Sequence, residues 1–226
     1  MIEAAGWDRA RWLWLAALIG GASYFLAVVQ RLDGPGIHLW KMSGVALLAA
    51  WAAVHARGRD GRLIAAALAF GALGDWLLAA IGLMEGSIAF AAGHVIAIGL
   101  YLDNRRAGMT DSQKALVFVT VPLAVATAWA LTRGATPGET GAAVGYTALV
   151  ALMAASAWAS RFPRYRTGLG AMLFLASDLI LFAGEGGALP RDVSSWLVWP
   201  LYFAGQALIA WGVVSTLATE ATGKAA

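Results

Sequence analysis

Apolar runs of about twenty residues recur from one end of this chain to the other, each long enough to cross a ~30 Å hydrocarbon layer as a helix. Such a helix satisfies its own backbone hydrogen bonds, so each run can sit in lipid. Of the 226 residues 60% are hydrophobic and 13% charged, whereas an ordinary soluble domain is roughly a quarter charged. With a mean hydropathy of +0.70, a water-soluble fold could not hide this much apolar surface. The expected fold is all-α: a polytopic integral membrane protein forming a single transmembrane domain over residues 1–226. Hydropathy places eight spans near 11–30, 37–56, 63–83, 86–102, 114–132, 139–160, 168–184 and 194–216. Arg9 and Arg11 before an apolar stretch and Gly20-Gly21-Ala22 could open a signal peptide, but the run continues through Tyr24, Phe25 and Val29, which favours an uncleaved first span.

Eight spans put both termini on one side. That side carries Arg9, Arg11, Arg57, Arg59, Arg62, Arg105, Arg106, Lys114, Arg161, Arg164, Arg166 and Lys224; the other carries Arg31, Arg133 and Arg191. Twelve against three predicts cytoplasmic termini, in the inner membrane if the source is bacterial. The formal charge of +3 is no nucleic-acid signal, because the basic residues sit at helix ends. With no cysteine there is no thiol catalysis, disulfide or thiolate metal site. The 27 glycines suit close helix packing through small residues. Trp7, Trp12, Trp14, Trp40, Trp196 and Trp199 lie near span ends and are expected as interfacial anchors.

The third and fourth spans repeat in the seventh and eighth. Gly74-Asp75 followed by Leu77-Leu78-Ala79 matches Ser177-Asp178 followed by Ile180-Leu181-Phe182, and Phe90 to His94 matches Tyr202 to Gln206. Partners four spans apart share an orientation, which implies a parallel 4+4 duplication with halves of about 11–102 and 114–216.

Of the 13 acidic residues, only Asp75 and Asp178 cannot be placed near a span end. A carboxylate there costs roughly 2.5 to 3.5 kcal/mol on insertion scales. From the predicted span ends both lie near the middle of a ~30 Å core, and His94 and Gln206 reach a similar level from the opposite face. The pair could be packing elements hydrogen-bonded across helices, but their equivalent repeat positions favour a functional site. Lys41, a turn inside the second span, suits either a snorkelling lysine or a point charge for a lipid phosphate. Tyr146 and Tyr202 could belong to core or site; Tyr202 shares a helix face with Gln206. There is no Gly-x-Ser-x-Gly elbow and no Walker loop. His38 and His55 lie about 25 Å apart on one span and cannot join His94 around a metal. A site of His94 with both aspartates stays open, but no cofactor or metal is expected.

Lys41, Gly74-Asp75 with Leu77-Leu78, Phe90, Gly93-His94, Gly170-Ala171 through Phe174, Ser177-Asp178, and Tyr202 with Gln206 together resemble the YhhN or lysoplasmalogenase family of eight-span membrane proteins. The pattern covers most of the chain from Lys41 to Gly212 and departs from the family at Met42, where a proline is usual, and at Val95 to Ala97, where an aromatic is. The resemblance implies hydrolysis of the vinyl ether bond of a lysophospholipid, releasing a fatty aldehyde and a glycerophospho-base. Vinyl ethers hydrolyse by protonation at carbon, giving an oxocarbenium-like cation that water captures. Two buried carboxyls suit that chemistry, one donating the proton while the other stabilises the cation and guides water. Asp75 and Asp178 are thus the expected catalytic residues, and Lys41, His94, Tyr202 and Gln206 the expected substrate contacts; the partners are the lysophospholipid and membrane lipids. Midplane carboxylates in parallel repeats also describe a proton-coupled transporter of a small solute or lipid. A non-catalytic lipid-binding protein would leave the deep aspartates without a purpose.

Overall fold

The computed structural model describes residues 3–55 and 58–223, with side chains from Arg11 onward and through Ala221. Arg57 and Lys224, and the side chains of Trp7 and Arg9, fall outside the described residues. The described residues form eight α-helices: α1 (Glu3–Gln30), α2 (Pro35–His55), α3 (Gly58–Ala80), α4 (Leu83–Asp103), α5 (Asp111–Thr132), α6 (Pro137–Ala159), α7 (Leu169–Glu185) and α8 (Arg191–Gly223). A π-helical turn, Arg164–Gly168, leads into α7. All eight are long and apolar enough to cross a membrane. The protein is a multi-pass integral membrane protein, as hydropathy predicts.

Helix ends differ from the hydropathy bounds where local backbone chemistry overrides apolar content. The third span was expected to reach residue 83, but α3 stops at Ala80, where the Ile81 and Gly82 N–H groups both bond to the Leu77 carbonyl and turn the chain directly into α4. At the start of α6, Thr136 and Glu139 form a capping box, Thr136 N–H donating to Glu139 Oε2 at 3.0 Å and Glu139 N–H to Thr136 Oγ1 at 3.3 Å, with Pro137 beside the cap. The last helix runs from Arg191 to Gly223, well beyond the expected 194–216.

The chain divides into two compact units, one of residues up to Ile96 together with those from Ala210, the other running from Ala97 to Ile209. In the first, Val45, Leu48, Ala52, Ile64 and Leu68 fill the seam of α2 and α3. A Cβ on Gly20 would lie 3.1 Å from Ser43 Oγ, so α1 rests closely on α2. In the second, small residues pack α5 on α6: Ala124 and Ala128 face a helix whose Val150, Ala151 and Ala154 are fully buried. Large apolar side chains lie on the outside as well, including Ile19 at 70% and Phe118 at 75% exposure. On a soluble protein such a surface would aggregate; here it meets lipid chains. Trp12 and Trp196 are exposed as anchors should be. Trp199, expected as an anchor, is buried against Tyr202 and Phe203, because α8 begins at Arg191 and carries it two turns inward.

Candidate active site

In the first unit three polar side chains share one level. Tyr24 lies six residues from the end of α1, Lys41 six from the start of α2 and Asp75 five from the end of α3, all about 7.5 to 9 Å along their helices from the same end. The Asp75 carboxylate acts electrostatically on both the Lys41 ammonium and the Tyr24 phenol. Asp75 is 2% exposed, and Lys41 and Tyr24 are half-buried. Tyr24 packs edge-on to Trp40 at 6.1 Å, and the Trp40 indole donates to Ser23 Oγ at 3.0 Å. Asp75 thus sits about 25 Å along α3 from Gly58, higher than the mid-core level expected, because α3 begins and ends earlier than hydropathy indicates.

Glycine sets the approach of α4 to this cluster. A Cβ on Gly74 would stand 2.9 Å from the Phe90 ring, one on Gly86 2.6 Å from Leu78 Cβ, and one on Gly93 3.0 Å from the Ala67 carbonyl. Asp75 and His94 each follow one of these contact glycines. His94 is 5% exposed.

In the second unit Asp178, 8% exposed, has the Tyr146 side chain of α6 beside its carboxyl group. Its Oδ1 lies 3.5 Å from Ser177 Oγ, which donates to the Phe174 carbonyl at 2.6 Å. Oδ2 is buried and has no hydrogen-bond partner among the described residues. On α8, Gln206 donates to the Tyr202 hydroxyl at 3.4 Å, and Tyr202 packs edge-on to Phe174 at 5.1 Å. Again a glycine contact brings the helices together: a Cβ on Gly205 would lie 2.7 Å from the Gly170 carbonyl.

Of the expected site residues, Lys41 and Asp75 come together in the first unit, which also holds His94. Asp178, Tyr202 and Gln206 lie in the second, where Tyr202 and Gln206 bond to one another. Tyr146, open between core and site in the sequence, is a partner of Asp178. Sequence reasoning missed Tyr24. Its signal is register: six residues in from the end of its span, it matches Lys41 on the adjoining helix.

Eight spanning helices with carboxyl groups buried among polar side chains define a polytopic membrane protein with ionisable groups inside its helices. The YhhN family model matches residues 36–213, and the chain belongs to the YhhN family. It is 30% identical to proteins named lysoplasmalogenase from Mycobacterium bovis and Mycobacterium tuberculosis, covering 92% of this chain and 84% of each relative. No solved structure matches it.

Proposed function

We propose that this protein is a membrane-embedded hydrolase of the lysoplasmalogenase type, cleaving the vinyl ether bond of a lysophospholipid to a fatty aldehyde and a glycerophospho-base. Family membership and the lysoplasmalogenase relatives support the reaction. The observation that carries the chemistry is that each unit buries one carboxyl group amid polar partners. Asp178 has neutral partners, Tyr146 and Ser177, and one oxygen that no described residue engages; it is assigned as the acid that delivers a proton to the vinyl carbon remote from oxygen. Asp75 has the Lys41 charge as its counterpart; it is assigned as the anion that stabilises the oxocarbenium cation and takes the proton that water loses on attack. The resulting hemiacetal collapses to aldehyde and the free hydroxyl of the glycerophospho-base, and the proton taken up by Asp75 is released to solvent while Asp178 regains one, which restores both groups.

Lys41 binds the lipid phosphate as a point charge, and His94, Tyr202 and Gln206 contact the substrate and its water. The pairing of the aspartates rests on the 4+4 repeat. Supporting it, Gly93 meets Ala67 in one unit as Gly205 meets Gly170 in the other, and these are positions that the repeat matches. The orientation with cytoplasmic termini follows from the basic-residue count.

The deciding experiment offers purified protein in detergent a panel of 1-alkenyl lysolipids and measures aldehyde. A hydrolase releases it without a sealed membrane. The alternative, a proton-coupled carrier, moves substrate only across one; lipid flux into sealed vesicles with no aldehyde formed would replace this reading.

A further inference from the structure

The loop from α4 to α5 and the loop from α6 to α7, both in the second unit, are joined as tightly as paired strands. Arg105 and Ser160 form an antiparallel bridge, with Arg106 N–H donating to the Ala159 carbonyl at 3.0 Å and Arg161 N–H to the Asn104 carbonyl at 2.8 Å. The side chains reinforce the backbone. Buried Asn104 accepts from Arg161 Nε at 2.6 Å and donates to the Leu100 carbonyl at 2.9 Å. The Arg106 guanidinium is fixed by Nε and Nη2 bonds to the Ser160 carbonyl at 3.2 and 2.9 Å and by an Nη2 bond to the Phe162 carbonyl at 3.2 Å. Its Nη1 takes no part in these bonds.

The Phe162 carbonyl that Arg106 Nη2 engages is two residues before Arg164, which brings a second guanidinium to the same loops. Partial burial and the neighbouring Arg164 charge both lower the proton affinity of Arg106. Among the described residues neither Arg106 nor Arg164 forms an ion pair with a carboxylate. Two like charges held close by the fold are unfavourable until an anion lies between them. Planar guanidinium groups with spare N–H donors match the geometry of phosphate oxygens. Arg164 also opens the π-helical turn, whose closing bond runs from Leu169 N–H to the Arg164 carbonyl; such turns are frequent at functional sites.

The surroundings identify a lipid as the source of the phosphate. Arg164 is the first residue of one span, and another ends at Asp103, three residues before Arg106. Within a turn or two of the guanidinium pair, Tyr165 is 77%, Leu102 48% and Leu169 39% exposed. An ion from water has no use for that apolar surface; an acyl chain does.

We propose that the clamped loops form a binding site for an anionic phospholipid, its phosphate held by Arg106 and Arg164 and its chains lying against Tyr165, Leu102 and Leu169. This site is independent of the proposed hydrolytic chemistry.

The test measures the melting temperature of the full-length protein in neutral detergent during titration with phosphatidylglycerol, phosphatidylcholine or inorganic phosphate. Ligand that binds the native state alone raises that temperature with concentration. Phosphatidylglycerol is expected to act at about tenfold lower concentration than phosphatidylcholine, and millimolar phosphate to have little effect; both lipids carry the phosphate, and the preference comes from the choline cation, which two neighbouring guanidinium groups repel. Arg164→Gln, which leaves every loop-joining bond in place, should reduce the preference at least fivefold. Arg164→Lys should retain part of it, and Arg133→Gln, an equal charge loss at the far end of α5, all of it. The proposal is overturned if wild-type protein shows no preference between the lipids, if Arg164→Gln keeps it, or if inorganic phosphate alone stabilises as well as the anionic lipid.

Discussion

Replacing Asp178 or Asp75 by Asn keeps the shape of the side chain and removes its ionisation, which separates chemistry from packing. Each variant is expected to lose about a hundredfold in kcat on the lysolipid substrate with its melting temperature preserved. The double variant should lose far less than the product of the two, as groups acting in one step do; multiplicative losses in steady-state rates would show that they act separately. Tyr146→Phe removes the hydroxyl beside Asp178, and kcat should fall about tenfold. Lys41→Met should raise KM about tenfold, the phosphate contact being made equally in ground and transition states, and should lower kcat as well, because Asp75 loses its counter-charge. Both aspartates were legible in the sequence because a carboxyl is expensive in an apolar run. Tyr24 was not: a tyrosine costs little in a span, and its closeness to Asp75 depends on the rotation of α1 about its own axis, which hydropathy does not report.

At the scale of helices, the glycine contacts carry a stability prediction. A Cβ on Gly170 would stand 2.6 Å from the Gly205 carbonyl and 2.9 Å from Leu208 Cβ, so Gly170→Ala must push α7 from α8. Denaturant titration in detergent should show a loss of about 1 to 3 kcal/mol. Gly145, in the middle of α6, has nothing within 4 Å of its Cβ position; Gly145→Ala should hold stability or add up to about 1 kcal/mol. Span number was fully legible, since apolar length decides it. Helix ends were less so: α3 stops where Ile81 and Gly82 share one carbonyl, and a hydropathy window cannot see a shared acceptor. The loop clamp was invisible, since Asn104 and Arg161 are 57 residues apart and each alone reads as an ordinary polar loop residue.

For the whole molecule the basic-residue bias makes the orientation testable. A reporter fused after Ala226 is expected in the cytoplasm, and one inserted near Gly187, in the turn between α7 and α8, outside it; the reverse pattern would sink the assignment of sides. The joined loops also bear on how the chain is born. Asn104 emerges from the ribosome 57 residues ahead of Arg161, which at 5 to 20 residues per second is a wait of about 3 to 11 s. During that interval α5 and α6 must enter the bilayer as a hairpin while the end of α4 lacks its partner. A translational pause within α6 would lengthen the exposure of that end to quality-control proteases, so synonymous codon changes there should alter yield without altering the mature protein.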